Sequence, residues 1–361
     1  MTVVSAAPPV LSSTSATGWP VFGHEWAVTW LRKTLQPGGQ GPRHAYLFLG
    51  PRQIGKSTLA LAFAQALLCG QGGDVPCGRC RSCELMQRRV HADFHHIRPV
   101  DKDGEPDRLN GTLRVEQAAA VVREAALSPM EARYRIFFLQ NMERANAGFS
   151  NKILKTLEEP PASVILLLTA EDRSQLLPTI VSRCQVVDLR PLAVAEVRRM
   201  LGQQRGLDAT MADLLARYAN GKPGWALEEA ARGEPMKERH DQLAQLWALL
   251  RSDLLMRLQL SESLAAAKGS KRLFALLSVW QTWWRDLMLV QVGVPSECTN
   301  QDALPELTLE ADLISREDVG RYLGLISRAE EQLHRTVNVR LALDVLLLRL
   351  PRLPKDLPVA A

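Results

Sequence analysis

The sequence predicts an α/β P-loop domain, a parallel sheet flanked by helices, followed by a small helical lid domain and an all-α C-terminal domain. Three observations carry this. Short, wholly apolar runs recur through the first half of the chain, as strands covered on both faces require. One run ends in Gly50-Pro51-Arg52-Gln53-Ile54-Gly55-Lys56-Ser57, two glycines bracketing four residues ahead of Lys and Ser. After Pro191 the strand-like runs stop and only helical patterns follow.

The elements follow in order. Ala45-Tyr46-Leu47-Phe48-Leu49 reads as a strand, and Ser57 to Leu68, rich in Ala and Leu, as the helix after it. Ile136 to Leu139 and Val164 to Leu168 are continuous apolar strands, and Gln185 to Leu189 is a further short one closed by Pro191. Ala193 to Gln204, Ala209 to Ala219 and Gly224 to Arg232 form three helices with turns at Gly206, Gly221 and Pro223. From Met236 onward the pattern is helical, with breaks near Gly269 and from Gly293 to Pro305. The expected organisation is a leader over 1–18, an α/β nucleotide-binding domain over 19–190 with an insert at 69–83, the lid over 191–235 and the C-terminal domain over 236–361.

A chain of 361 residues accommodates these domains. Its 46% hydrophobic and 23% charged residues exclude disorder and collagen-like repeats. The net charge of +5, from 44 Lys plus Arg against 39 Asp plus Glu, leans toward acidic partners without establishing nucleic-acid binding. The longest uncharged apolar stretch, Ser57 to Gly73, is too short and too interrupted to span a membrane. Met1 to Thr17 has no basic residue, and Pro8 and Pro9 break its apolar part. A flexible leader, not a secretory signal, and a cytoplasmic location are expected.

The glycine-rich turn has the chemistry of a phosphate cradle. Its glycines let successive backbone N–H groups converge on phosphate oxygens, and the following helix adds its positive end. Gly50, Gly55, Lys56, Ser57 and Thr58 are the candidate ligands for ATP or ADP with Mg²⁺, Lys56 reaching the β and γ phosphates and Ser57 the metal. Hydrolysis also needs an acid at the end of a second strand. Ile136 to Leu139 runs instead into Gln140 and Asn141, and Glu143 lies further on as a poor substitute. Binding without efficient cleavage is the expectation.

Six cysteines are present, and Cys69, Cys77, Cys80 and Cys83 fall within fifteen residues as C-x7-C-x2-C-x2-C. Four thiolates at this spacing suit one tetrahedral structural Zn²⁺. Disulfides and an iron–sulfur cluster are the competitors, disfavoured by the lack of an export signal and of a following Cys-Pro. His91, His95 and His96 would crowd a complete shell and read as surface or packing residues. Cys184 and Cys298 have no partner in sequence and read as buried thiols. Trp280, Trp283 and Trp284 share one helix face, which suits a core or subunit interface better than base stacking.

The P-loop, the cysteine module, Asn151-Lys152-Ile153-Leu154-Lys155-Thr156-Leu157-Glu158-Glu159-Pro160-Pro161 and Leu176-Leu177-Pro178-Thr179-Ile180-Val181-Ser182-Arg183-Cys184 together resemble the AAA+ clamp-loader subunits of bacterial DNA polymerase III. Phe22-Gly23-His24-Glu25 and His44-Ala45-Tyr46-Leu47 are similar to that family's opening, and Arg340 to Leu348 to its last helix. The resemblance is strong over about residues 20 to 235 and weaker beyond. It implies that Arg183 acts in trans, as an arginine finger on the ATP of a neighbouring subunit. It also implies a C-terminal collar, a hetero-pentamer with gamma/tau and delta subunits, and a sliding clamp and primed DNA reached through the assembly.

The departures from the family's motors are as informative. Two adjacent acids are replaced by Gln140 and Asn141, and Gly224 stands near the position of a sensing arginine; Thr169 lies near the first sensor. A non-hydrolysing stator subunit is therefore expected. The alternatives are a gamma/tau-type ATPase and a zinc-containing nucleic-acid-binding module with a vestigial nucleotide site.

Overall fold

The computed structural model describes residues 18–36, 38, 41–107, 111–232, 236–266, 270–334 and 338–354. The expected leader and the break near Gly269 lie outside the described residues. Two compact units emerge: one runs to Gly206 and takes in Ala219–Leu227, the other comprises Leu207–Tyr218 and Glu228–Ala361. The segment 191–235 thus contributes helices to both units.

In the first unit the elements are α1 (Glu25–Leu35), β1 (Ala45–Leu49), α2 (Lys56–Leu68), α3 (Arg81–Gln87), β2 (Phe94–Ile97), α4 (Val115–Ala125), β3 (Arg135–Leu139), α5 (Ala147–Glu158), β4 (Val164–Ala170), α6 (Pro178–Val181), β5 (Gln185–Asp188) and α7 (Val194–Arg205). The five strands form one sheet in the order β2-β3-β4-β1-β5, every pairing parallel. Parallel neighbours need crossovers, and the intervening helices cover both faces. Alternation along each strand divides the core. Tyr46, Phe48, Ile136 and Phe138 pack with α1 and α2 residues such as Leu31 and Phe63. Leu47, Phe137, Leu139 and Leu166 pack on the other side with Val121, Phe149 and Ile153 of α4 and α5.

β1, β3, β4 and β5 occupy the runs the sequence indicated; β2 was not anticipated. Its four residues include His95 and His96, which give no apolar run. Their rings instead stack on Phe137 and Phe138 of β3, with centroids 4.8 Å apart in both pairs. The packing expected of the histidines is thereby realised through a strand.

α8 (Ala209–Tyr218) and α9 (Pro223–Ala230) follow, then α10 (Lys237–Leu250), α11 (Leu254–Ala266), α12 (Ser270–Gln291), α13 (Leu304–Leu313), α14 (Arg316–His334) and α15 (Val339–Leu348). Trp280, Trp283 and Trp284 are fully buried and pack with Leu243, Tyr322 and Leu346. The tryptophan stripe is thus core of this second unit. Arg257 is also fully buried, its guanidinium donating to the carbonyls of Leu249, Leu347, Leu350 and Pro351. One side chain thereby adds a donor to carbonyls at the end of α10 and at and beyond the end of α15. Cys298 is buried with its thiol on Asp286 O at 3.5 Å. Burial pushes the half-buried Cys184 thiol up to about 12.

Candidate functional site

The glycine-rich turn joins β1 to α2. Gly50 has φ +136°, and a Cβ there would meet Leu189 O at 2.4 Å, so only glycine fits. Gly55, at φ +109°, caps α2, and Gln53 also takes a positive φ of 60°. The unpaired N–H groups of the first turn of α2 therefore open at the loop, as a phosphate cradle requires. Lys56 is buried and donates to Gly50 O at 2.5 Å and Pro51 O at 2.8 Å. Burial lowers its pKa, opposed by the carboxylates of Glu171 and Glu143. His24 is buried below the loop and donates Nε2–H to Ile54 O at 3.0 Å; burial holds its pKa below the ordinary value. An apolar cleft lined by Phe22, Ile54, Met200, Pro223 and Leu227 adjoins Gly55 and Thr58. At its rim Gly224 N–H donates to Gln53 O at 2.9 Å.

The end of β3 faces this loop with amides. Gln140 donates Nε2–H to Ser57 Oγ at 3.2 Å, and its Oε1 lies 3.0 Å from His96 Nε2. Asn141, at φ 60°, donates its backbone N–H to Thr169 Oγ1 at 3.0 Å and its side-chain amide to Glu143 Oε1 at 2.9 Å. Beyond β4, Glu171 pairs with Arg52. Mg²⁺ is ordinarily held by carboxylate and phosphate oxygens. The group on Ser57 is a neutral amide presenting N–H, so these residues do not fit a metal held between Ser57 and a β3 acid.

The four cysteines converge. All four Sγ atoms lie within 4.8 Å of one another, with Cys69–Cys80 and Cys77–Cys83 each 4.0 Å apart. Four sulfurs around one Zn²⁺ at about 2.3 Å stand about 3.8 Å apart, so the set fits. Cys80 also caps α3, its sulfur accepting Cys83 N–H at 3.5 Å, and Cys77 N–H points at Cys69 Sγ at 3.4 Å. Burial works against the Cys80 thiolate, but the N–H donors from Cys83 and Gly70 outweigh it and hold the thiol below its ordinary range. Such donors are suited to sulfurs that carry negative charge on a metal. Cys69, Cys77, Cys80 and Cys83 would hold the ion, which would tie the loop after α2 to α3.

Arg183 follows α6 and is one-third exposed. It pairs with Glu158 at the end of α5 at 2.8 Å and donates to Thr179 O at 2.9 Å. A pair this exposed contributes about 1 kcal/mol or less, so it orients the guanidinium without locking it.

A family model described as "DNA polymerase III, delta subunit" matches residues 24–193. DNA polymerase III subunit delta′ of Bacillus subtilis is 26% identical over 310 residues, covering 85% of this chain and 90% of its own length. The delta′ subunit of Haemophilus influenzae is 32% identical over 210 residues, covering 58% of this chain and 61% of its own. The chain is similar to the delta′ subunits of bacterial DNA polymerase III. Escherichia coli subunit tau is 27% identical over 367 residues, covering 94% of this chain and 55% of its own length.

The sequence singled out the P-loop, the cysteines and Arg183; the structure places the P-loop between β1 and α2 as expected, the cysteines from the end of α2 into α3, and Arg183 after α6. It brings Gly50, Gly55, Lys56, Ser57 and Thr58 together at one loop, and the cysteines at another place; Arg183 stands apart with Glu158. Sequence reasoning missed His24 under the loop, Glu171 against Arg52, and Glu158 as the partner of Arg183. A charged residue directly following a P-loop-side strand was the available signal for Glu171; nothing local signalled the other two pairings.

Proposed function

We propose that this delta′-like subunit works as the stator of a clamp loader, supplying Arg183 to the ATP site of an adjacent gamma/tau motor. Its own P-loop would hold ATP or ADP without hydrolysing it. The observation that carries this is the combination of a one-third exposed, oriented arginine with a P-loop faced by the end of β3, where Gln140 and Asn141 follow. A guanidinium in trans stabilises charge on the transferred phosphoryl group, whereas amides neither neutralise a metal nor accept the proton of the attacking water. Cys69, Cys77, Cys80 and Cys83 would carry a structural zinc, and the helices of 236–361 would join the collar of a hetero-pentamer with gamma/tau and delta. The sliding clamp and primed DNA would be met through that assembly, any DNA contact being to phosphates. The segment 191–235 would serve as the lid of the nucleotide site and 236–361 as the collar.

The test is an Arg183→Ala subunit reconstituted with motor subunits. The ATP site it serves should lose on the order of 10³-fold in turnover, while gel filtration shows an intact assembly. Unchanged ATPase in that assembly would remove the trans role.

A further inference from the structure

We propose that the P-loop of this chain takes a nucleoside di- or triphosphate without enlisting a magnesium ion, so that its affinity is the same with and without the metal. The inference rests on the reading that the loop binds a nucleotide. A P-loop serine serves a metal when its oxygen gives a lone pair to the ion and its O–H goes to an acceptor, ordinarily an acid at the end of a second strand of the sheet. Here Ser57 Oγ is itself the acceptor of Gln140 Nε2–H at 3.2 Å, and Gln140 Oε1 is engaged by His96 Nε2 at 3.0 Å. Turning the amide over would put its oxygen on Ser57 and its N–H on His96, and would still bring no negative charge to the metal position.

The second position of the strand end is equally neutral. Asn141 is held by Thr169 on its backbone N–H and by Glu143 on its side-chain amide. What remains for the phosphates is positive: Lys56 and the N-terminal N–H groups of α2, which bind phosphate oxygens directly. Divalent magnesium dehydrates reluctantly and is retained where carboxylates offset its charge. The two carboxylates acting on Lys56 have other engagements: Glu171 pairs with Arg52, and Glu143 accepts from Asn141. Glu143 is the serious competitor, because its second oxygen is buried without a hydrogen bond.

The experiment is calorimetric titration of the full chain with ADP, in magnesium and in EDTA, for wild type, Gln140→Asp and Glu143→Gln. Wild-type affinities should agree within about threefold, and Glu143→Gln should leave that ratio unchanged. Gln140→Asp should create a metal preference of about tenfold or more by restoring an acid beside Ser57. A wild-type affinity that falls about tenfold or more in EDTA overturns the proposal while leaving nucleotide binding intact, and loss of that fall in Glu143→Gln would name Glu143 as the metal's ligand. If folded wild type binds ADP in neither condition, the nucleotide reading itself fails and the proposal with it. The wild-type comparison decides even where a variant does not fold.

Discussion

Gly224 sits in the first turn of α9 with its N–H on Gln53 O, and a Cβ built there would stand 2.8 Å from that oxygen. Two effects oppose one another on substitution by alanine. Helix propensity favours alanine by about 1 kcal/mol at most. Overpacking against backbone that cannot rotate away costs about 1–3 kcal/mol. The contact should win, because Gln53 is already held at a positive φ between two loop glycines. Gly224→Ala is therefore expected to lower the melting temperature and weaken ADP binding. A melting temperature that rises would show that propensity prevails and the loop yields. The sequence pointed to this glycine by its position, but the hydrogen bond to a loop 171 residues earlier has no local signature. Gln140 was legible as a missing acid; its hold on Ser57 required the fold.

At the level of elements, legibility followed periodicity. β1, β3 and β4 are buried at every residue and announce themselves as apolar runs. β2 is half-exposed and carries two histidines, so its pairing with β3 is a tertiary effect that local propensity does not report. α3 is short, and its start depends on Cys80, a residue that is at once helix cap and candidate metal ligand. That dual use makes a prediction. Purified protein should contain one zinc per chain, and Cys83→Ala should lose it, since a bare three-thiolate site binds zinc far more weakly. Hydrogen exchange should then quicken from Cys69 through α3, while the strands of the sheet keep their protection. The change should stay local, because the sheet core rests on residues such as Phe63, Phe137 and Phe149 packed on its two faces. Folded wild-type protein without zinc would remove the metal assignment; collapse of the whole sheet on metal loss would remove the claim that the site is a local clip.

Taken over the whole chain, the two units carry buried titratable groups of opposite consequence. In the first, His24 is held neutral by burial, its pKa lowered although Glu25 and Glu196 oppose. Its contribution is full above the unfolded value of 6.5 and is lost as pH falls toward the lowered native value. Asp93 has the same sense further into acid: burial raises its pKa, but N–H donors from Glu131, Met130 and Ala132 outweigh it and lower the net value. In the second unit, burial raises the Glu310 carboxyl to about 7, against the N–H of Trp283 at 2.8 Å and the charge of Arg251, and with that of Glu306. Its contribution is full below 4.5 and is lost as pH rises through about 7. Asp286, raised by burial as well, adds in the same direction. Calorimetric scans should accordingly show the first unit weakened by acid and the second by alkali. Glu310→Gln keeps the acceptor for Trp283 and removes the charge. It should stabilise the protein near pH 8 by about 3 kcal/mol at most and change little near pH 5. His24→Gln should flatten the acid limb alone. If Glu310→Gln is no more stable than wild type near pH 8, Glu310 is solvated or better paired than its burial against Trp283 implies, and the alkaline weakening of the second unit belongs to Asp286.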